Sequence, residues 1–385
     1  MHSLLNVVAA ICFLGVLSSA LYYFLCLNAA ANFQRTSKRA ADPLLPAVSI
    51  LKPLKGIDPE IYESFRSHCL QDHPEFEIIF GVNDPNDPAI ARVKELQLEF
   101  PQKRIQLVIC PQALGTNVKV SNLAQMLPAA HYDHLVVNDS DVRVPPYYLR
   151  QVIAPLGNPG VGMVTCLYRG IAASTLGSRL EALGISTDFC PGVLAARQLE
   201  HGIRFGLGST LAFRRAELEK IGGFVTIVDY LADDYELGKR IAALRLTVEL
   251  SRVVVETHLP PYDLRGFFTH QLRWARAIRD ARPTGYLGLL FTFGLFWALL
   301  ALLTSRAALW AWAACVITLF LRYAVAFVVA GSVLEDRQSL RFSWLIPLRD
   351  LLAVAVWILS LAVHTVTWRG DRFHLRNGKL TRIPP

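Results

Sequence analysis

"HLVVNDSDVRVPP", residues 134–146, places two carboxylates directly behind a short apolar run. The run is typical of a buried strand, because it is short, apolar and followed by polar residues and two prolines. Asp139 and Asp141 come after it with one residue between them. Such a pair fits a solvated turn, but it also forms a compact site for a hard cation such as Mg²⁺ or Mn²⁺. A phosphatase or metal-dependent hydrolase would use the same pair.

Similar strand-like segments recur across the middle of the chain. Short apolar strands that alternate with helical segments predict an α/β domain, with a mainly parallel central sheet covered on both faces. Ligands of such sheets bind beyond the carboxyl ends of the strands, where Asp84 and the Asp139/Asp141 pair are expected. The predicted strands are 47–54, 76–84, 104–110 and 134–139, with a helix at 88–100.

A second acidic pair, Asp233 and Asp234, opens a helix-like run at 235–244. Acidic residues at this position stabilise a helix through its dipole. The functional alternative is a general base close to the first acidic pair.

A basic segment, "FFTHQLRWARAIRDAR", occupies residues 267–282. Arg273, Arg276 and Arg279 are three residues apart and therefore form one stripe on a helix. A stripe of this kind is typical of a helix that lies on anionic lipid just before a membrane segment.

The two ends of the chain are apolar. The 385-residue chain is 53% hydrophobic and 18% charged, against about 25% charged in soluble domains. Residues 4–27 predict a retained membrane helix rather than a cleaved signal peptide, because no Lys or Arg precedes Arg35. The stretches 286–303, 307–330 and 344–366 predict further membrane segments. The second contains Arg322, which is costly in lipid unless it is paired or faces protein.

Basic flanks predict the orientation of these segments. Arg35, Lys38 and Arg39 follow the first one, which predicts an external N-terminus and a cytoplasmic middle domain. Three further crossings would place the tail outside, whereas its basic character favours the cytoplasm, so one stretch is expected to be re-entrant or interfacial. The predicted organisation is an N-terminal anchor (1–30), a cytoplasmic domain (45–282), C-terminal membrane segments (283–367) and a basic tail (368–385).

Cysteine usage and charge restrict the class of protein further. The seven cysteines form no C-x-x-C motif, which argues against a disulfide framework or a zinc site and fits a reducing cytoplasm. The formal net charge is +8, but the Lys and Arg residues cluster beside apolar segments. An anionic membrane surface is therefore the expected partner, and nucleic acid is not.

The order of these motifs resembles a known family. Asp84, the Asp139/Asp141 pair, Asp234 and then Arg273-Trp274 are similar to the D, D, D, (Q/R)-x-x-R-W signature of processive and lipid-directed glycosyltransferases with the GT-A fold. Within that group the chain resembles the ceramide glucosyltransferase family, glycosyltransferase family 21, over nearly its whole length. The matching segments are, in chain order, LKPLKGIDP, NDPNDPAI, GTNVKVSNL, DSDVRV, ADDYELGKRIA, LRWAR and WRGDRFHLRNG.

The resemblance implies a role for each matching residue in binding the donor. Asp84 would lie near the nucleobase and ribose, and Lys119 and Asn122 would line the nucleotide side. Asp139 and Asp141 would hold Mg²⁺ or Mn²⁺ against the diphosphate.

The resemblance also implies the catalytic residues. Asp234 would be the catalytic base, and Arg273 and Trp274 would form a clamp for the acceptor and the diphosphate. His270 stands where the signature has Gln or Arg. In this it is more similar to a bacterial, hopanoid-associated branch of the family, which leaves both ceramide and a hopanoid polyol open as the acceptor.

The expected function is therefore inverting transfer of a sugar from a UDP-sugar to a lipid hydroxyl. The expected location is a membrane, the bacterial inner membrane in particular, with the catalytic domain in the cytoplasm. Two alternatives stay open. A polysaccharide synthase of the same fold would have more membrane spans and a long pore. A non-catalytic, membrane-anchored nucleotide-sugar-binding protein would not need four acids at separate element ends.

Overall fold

The computed structural model describes residues 2–35, 45–368 and 371–383. Lys38 and Arg39 of the predicted basic flank lie outside the described residues. The chain divides into two compact units. We name them the helical unit, made of 1–37, 174–201 and 261–368, and the sheet unit, made of 38–173, 202–260 and 369–385.

The secondary structure alternates strands and helices through the middle of the chain and is mainly helical at its ends. The described strands are β1 (Val48–Leu54), β2 (Phe76–Val82), β3 (Arg104–Ile109), β4 (His134–Val137), β5 (Val142–Arg143), β6 (Val161–Ile171), β7 (Leu211–Arg214), β8 (Thr247–His258), β9 (Thr365–Trp368), β10 (Asp371–Arg376) and β11 (Lys379–Arg382). The described α-helices are α1 (His2–Arg35), α2 (Ile61–Cys69), α3 (Ala89–Glu99), α4 (Val118–Met126), α5 (Tyr148–Ile153), α6 (Leu176–Gly184), α7 (Cys190–Leu199), α8 (Arg215–Lys220), α9 (Asp233–Ala243), α10 (Leu264–Ala281), α11 (Pro283–Gly288), α12 (Gly294–Thr304), α13 (Leu309–Ala326), α14 (Arg337–Arg341) and α15 (Ile346–Leu361).

The sheet unit is built on an eight-stranded sheet with the order β3-β2-β1-β4-β7-β6-β8-β5. The strands β1 to β4 pair in parallel, and so do β6 and β8. Strand β7 is antiparallel to β4 and β6, and β5 is antiparallel to β8. The four predicted strands correspond to β1 to β4, so the predicted α/β class with a mainly parallel sheet is confirmed.

The buried side chain of Asn138 holds the turn after β4 in place. This side chain is buried and donates to the carbonyl of Ser209 at 2.6 Å and to the hydroxyl of Tyr148 at 2.9 Å. Its Oδ1 lies 3.3 Å from Nε2 of His68. Because a buried amide is stable only when its hydrogen bonds are made, this network fixes the end of the strand and the position of Asp139 that follows it.

The helical unit contains the apolar helices predicted at both ends of the chain. Among the described residues, three helices are long and apolar enough to cross a membrane: Val7–Arg35, Leu309–Val333 and Ser343–Leu361. The predicted stretch 286–303 is instead a bent pair, Pro283–Thr292 and Gly294–Thr304, with an angle of 53° between its halves. It counts as a fourth span only if both halves are taken together.

Polar groups at two places inside the helical unit make hydrogen bonds or ion pairs. At the break of the bent pair, the carbonyl of Phe291 accepts from the hydroxyls of Ser18 and Ser19 at 3.2 and 2.9 Å. Arg322 is buried and donates to the carboxylate of Asp350 at 2.7 and 2.9 Å and to the carbonyl of Thr187 at 2.8 Å. Arg322 therefore meets the condition under which an intramembrane arginine is tolerated.

Candidate active site

Two of the predicted carboxylates converge on the backbone of Gly208, in the loop before β7. The amide of Gly208 donates to Oδ2 of Asp234 at 2.7 Å. A Cβ atom added to Gly208 would lie 3.0 Å from Oδ2 of Asp139 and 3.3 Å from Oδ2 of Asp234. The space between the two carboxylates is therefore open because residue 208 has no side chain.

Lys119 balances part of the negative charge in this cluster. Its Nζ lies 2.7 Å from Oδ1 of Asp139 and 3.0 Å from Oδ2 of Asp233. Burial alone would lower the pKa of Lys119, but the carboxylates of Asp139, Asp233 and Asp234 raise it by more. The ammonium is therefore charged, and it links the turn after β4 to the start of α9.

The position of Lys119 follows from the way α4 begins. Asn117 is the N-cap residue, and its Oδ1 accepts from the amide of Val120 at 3.2 Å. Its Nδ2 donates to the carbonyl of Tyr230 at 2.8 Å and approaches Oδ1 of Asp233 at 3.4 Å. One asparagine thus starts the helix that carries Lys119 and also holds the segment that leads into α9.

Asp234 has the protonation behaviour of a general base. Burial and the neighbouring charge of Asp233 raise the pKa of Asp234 to about 6, although Lys119 opposes this shift. A carboxylate with a pKa in this range is ionised near neutral pH and still takes up a proton readily.

Asp141 lies in a different environment from Asp139. Its Oδ2 accepts a hydrogen bond from the hydroxyl of Thr257 on β8. Burial and the charge of Asp139 raise the pKa of Asp141 to about 6. The fully buried Lys52 donates to the backbone carbonyl of Asp139 at 2.9 Å. Burial lowers the pKa of Lys52 to about 7, although Asp141 and Asp139 oppose this shift.

The carboxylates suit a hard cation by their chemistry. Within 2–35, 45–368 and 371–383, no group of three or more His, Cys, Asp or Glu side chains is arranged to hold a metal ion. Oδ2 of Asp139 nevertheless faces the open space at Gly208, and Asp141 lies close enough to Asp139 that, besides burial, the charge of Asp139 raises the pKa of Asp141. Oxygen donors are the ligands of Mg²⁺ and Mn²⁺, which often take their remaining ligands from substrate phosphates and water. The residues present therefore fit such an ion.

Asp84 and Asn122 are not part of this cluster. Asp84 is exposed, and its Oδ1 accepts from the amide of Asn86 at 2.8 Å. It follows β2, which is separated from β4 by β1, or about 10 Å across the sheet. Asn122 is buried and donates to the carbonyls of Leu54 and Gly81 at 3.5 and 3.4 Å. It therefore links β2 to the end of β1.

The remaining predicted residues form a second group on α10, in the helical unit. The ring of His270 packs against two aromatic rings, with centroid distances of 5.3 Å to Tyr262 and 5.2 Å to Trp274. Its Nδ1 is 3.3 Å from Oε1 of the buried Glu181. The guanidinium of Arg273 lies 6.0 Å from the ring centroid of Trp368.

Glu181 is held as a carboxylate by its neighbours. Its Oε2 accepts from Nε2 of Gln271 at 2.8 Å, and Oε1 of Gln271 accepts from Arg349 at 2.9 Å. Burial raises the pKa of Glu181, but His270, Arg349 and Gln271 lower it by more. A negative charge therefore lies next to Nδ1 of His270.

Two arginines of the predicted basic stripe bind carbonyl groups of the chain itself. Arg276 donates to the carbonyl of Thr365 at 2.8 Å. Arg279 donates to the carbonyls of Ser360 and Val363. Because the last carbonyl groups of a helix lack partners within it, these two side chains stabilise the end of α15 and the segment after it.

Sequence reasoning missed several residues of the site. Gly208 could have been found from "GLGST" (206–210), where glycines flank a single residue and glycine inside an otherwise regular segment often marks a close approach of the backbone. Lys52 lies in the segment LKPLKGIDP, but the sequence gives no sign of its role. Thr257 and Glu181 carry no signal in the sequence, because only the tertiary fold brings them to Asp141 and His270.

Comparison with known proteins agrees with the motifs. The sequence model of the family described as "Glycosyl transferase family 21" matches residues 11–381. Ceramide glucosyltransferase 3 of Caenorhabditis elegans is 22% identical over 394 residues, which cover 97% of this chain and 82% of that protein. Ceramide glucosyltransferase of Komagataella phaffii is 38% identical over 148 residues, which cover 37% of this chain and 28% of that protein.

A solved structure shares the fold. The mannosyltransferase PcManGT from Pyrobaculum calidifontis, in complex with GDP-Man and Mn²⁺, matches with a TM-score of 0.53 at 19% identity, over 93% of this chain and 99% of that one. The predicted GT-A fold with flanking apolar helices is thereby confirmed. The family match over nearly the whole chain confirms the resemblance seen in the sequence: the chain belongs to glycosyl transferase family 21 and is a hexosyltransferase.

Proposed function

We propose that this enzyme transfers a sugar from a UDP-sugar to the hydroxyl group of a membrane lipid, with inversion at the anomeric carbon. The acceptor is ceramide or a hopanoid polyol. The observation that carries the proposal is the convergence of Asp139 and Asp234 on the open space at Gly208. The names of the relatives support a lipid acceptor, and the apolar helices support a membrane location.

Asp234 is the proposed general base. Its raised pKa, about 6, lets it accept the proton of the acceptor hydroxyl near neutral pH. The hydroxyl oxygen then forms a bond to the anomeric carbon while the bond to the diphosphate breaks, and the electron pair of that bond leaves with UDP. One displacement inverts the configuration, so an α-linked donor gives a β-glycoside.

The donor is proposed to lie across the carboxyl ends of the strands. Asp84 lies at the nucleobase and ribose, and Lys119 and Asn122 lie on the nucleotide side. Asp139 and Asp141 would hold Mg²⁺ or Mn²⁺. When bound, the ion would neutralise charge on the leaving diphosphate. Gly208 keeps the space between the carboxylates accessible.

The α10 group has proposed roles that come from its motif. Arg273 supplies a fixed positive charge to the departing diphosphate, which stabilises the transition state electrostatically. Trp274 and His270 contact the acceptor. The two aromatic rings that pack against His270 limit its motion, which suits a side chain that must keep one orientation.

The topology of the chain supports a tail on the catalytic side of the membrane. The described tail strands β10 and β11 belong to the sheet unit. The chain therefore leaves this unit after residue 260 and re-enters it at 369, which requires an even number of crossings. The spans Leu309–Val333 and Ser343–Leu361 supply two. We propose that the bent pair is re-entrant, that α1 crosses once, and that the catalytic side is cytoplasmic.

The function is tested with purified full-length enzyme in lipid nanodiscs and radiolabelled UDP-sugars. Glycolipid formed from ceramide or from a hopanoid polyol, lost in Asp234→Asn and kept in the exposed control Asp133→Asn, is the expected result. A radiolabelled polymer would instead indicate a polysaccharide synthase. Donor binding without any transfer would indicate a non-catalytic binding protein. Full activity in excess chelator would refute the proposed metal site.

A further inference from the structure

The described tail forms a hairpin that docks on the segment just before Asp233 and Asp234. We name strands β10 and β11 with their turn the tail hairpin (residues 371–382). Its Gly378 carbonyl accepts from the amide of Leu231 at 3.0 Å, and the amide of Leu380 donates to the carbonyl of Asp229 at 2.7 Å. Tyr230 makes an antiparallel bridge with Lys379. The tail hairpin therefore adds a short strand to the segment 229–231.

The tail hairpin also reaches the start of α4. The carbonyl of Leu380 accepts from the hydroxyl of Thr116 at 3.4 Å. The same hydroxyl donates to Asp229 at 3.0 Å, and Asn117 donates to the carbonyl of Tyr230 at 2.8 Å. The two segments that deliver Lys119 and the acidic pair of α9 thus meet at the tail hairpin.

The two faces of the tail hairpin differ in chemistry. Phe373, Leu375 and Leu380 are buried. The outward positions are exposed and mostly basic: Arg372, His374, Arg376, Lys379 and Thr381. The alternation follows the period of a strand, so one face docks and the other presents positive charge.

The basic face contains an unfavourable pair. Arg376 and Lys379 are direct cross-strand partners, and like charges directly opposite each other destabilise a hairpin. The turn between them is favourable, because Asn377 and Gly378 adopt φ values of 52° and 77°, as a two-residue hairpin turn requires. The repulsion therefore comes from the side chains. The ring of Tyr230, whose centroid lies 5.4 Å from Nζ of Lys379, offsets part of it, and an anionic partner would relieve the rest.

The position of the tail hairpin in the chain identifies that partner. Residues 362–370 alone separate it from the end of the apolar helix Ser343–Leu361. The basic residues of the tail hairpin therefore form a juxtamembrane cluster in the sequence. Juxtamembrane clusters of Lys and Arg bind anionic lipids.

We propose that the outer face of the tail hairpin binds anionic phospholipid headgroups. Binding stabilises the docked hairpin, and through segment 229–231 it stabilises the arrangement of Lys119, Asp233 and Asp234. Anionic lipid is then an activator of the enzyme as well as its surroundings. The lipid-binding step is independent of the proposed function, whereas the effect on transfer rests on it.

Amide hydrogen exchange of the full-length protein tests the binding step without an activity readout. The protein is placed in nanodiscs of phosphatidylcholine, with or without phosphatidylglycerol. Phosphatidylglycerol should slow exchange in 371–383 and 228–234, by up to roughly fivefold for each basic residue engaged. High salt should reverse the effect, since it screens exposed charges. Inorganic phosphate added to phosphatidylcholine nanodiscs should not reproduce it.

Charge-neutral variants complete the test. The combined variant Arg372→Gln, Arg376→Gln and Lys379→Gln should lose the slowing. A control variant, Arg92→Gln, Lys94→Gln and Lys220→Gln, removes as many exposed charges elsewhere and should keep it. Unchanged exchange in β1 and β2 shows that each variant is folded. If the combined tail variant is not folded, the single variant Arg376→Gln is used in its place.

The outcomes separate the two proposals. Equal exchange in both lipids, an equal effect of inorganic phosphate, or loss of the effect in the control variant would overturn the lipid-binding proposal, whatever the activity. Slowed exchange without transfer to any lipid would support the binding and count against the proposed function. Slowed exchange together with faster transfer in phosphatidylglycerol supports both.

Discussion

Replacing Gly208 with alanine tests whether the space between the two carboxylates is the reaction centre. The added Cβ would lie 3.0 Å from Oδ2 of Asp139 and 3.3 Å from Oδ2 of Asp234. The methyl group therefore enters the space between the proposed base and the proposed metal ligand without removing either carboxylate.

The geometry sets the size of the effect. An ordinary contact of a Cβ atom begins near 3.4 Å, so a carboxylate must move by a few tenths of an ångström. Because a misplacement of about 1 Å can cost about a hundredfold in rate, we expect Gly208→Ala to lower kcat by about ten- to a hundredfold. Stability should change by no more than about 1 kcal/mol, since replacing glycine by alanine restricts the unfolded chain and offsets the tight contact.

The assay compares two variants in the same nanodiscs. Gly157→Ala is the matched control, because a Cβ added at residue 157 meets nothing within 4 Å. Its kcat and KM should equal those of the wild type. Thermal unfolding of both variants shows that any loss of kcat at Gly208 comes without a loss of fold.

A Gly208→Ala enzyme with wild-type kcat and KM would refute the reasoning. It would mean that no reacting group uses the space between Asp139 and Asp234. The two carboxylates would then have separate tasks, and the base would have to act from another direction.

The remaining predictions concern Asp234, the contact of His270 with Glu181, and the side of the membrane on which the tail lies. Because the pKa of Asp234 is raised to about 6, kcat/KM should fall about tenfold per pH unit below pH 6. Asp234→Asn should lose transfer by about a hundredfold or more. It should also gain stability above pH 6, where the buried carboxylate of the wild type is ionised. Near-normal turnover of this variant would rule out Asp234 as the base. His270→Gln should keep substantial transfer, whereas His270→Ala should lose much of it. Glu181→Gln should lower the unfolding free energy by about 3 kcal/mol, as measured by denaturant titration. A Glu181→Gln enzyme with unchanged unfolding free energy would show that the carboxylate does not support His270. An epitope placed after the tail should be digested by protease added on the catalytic side of sealed vesicles and protected from protease added on the opposite side. Digestion from the opposite side would refute the even number of crossings.

The sequence predicted one half of the sheet and not the other. Strands β1 to β4 are short apolar runs that end at polar turn residues, and each pairs in parallel with its neighbour. Strands β6 and β8 are longer, with 11 and 12 residues, and they are joined to β4 through the antiparallel β7. Their register depends on partners far away in the chain, which a local pattern cannot specify.

The candidate site divides in the same way. Asp139, Asp141 and Asp234 could be predicted because each lies at the end of a regular element, where the chain pattern changes. The convergence on Gly208 could not, because residue 208 is 69 positions after Asp139 and meets it only through the pairing of β4 with β7. The docking of the tail on 229–231 likewise has no local signal, since the tail alone is an ordinary basic hairpin.

The charges of the sheet unit explain why these residues need such a specific fold. Asp139, Asp233 and Asp234 lie together around the ammonium of Lys119. The cluster therefore keeps an excess of negative charge, which adds to the effect of burial in raising the pKa of Asp234. Such an arrangement is unfavourable on its own, because buried like charges repel each other. A bound divalent cation would relieve the repulsion, so binding the donor with its ion and ordering the base are expected to be coupled steps.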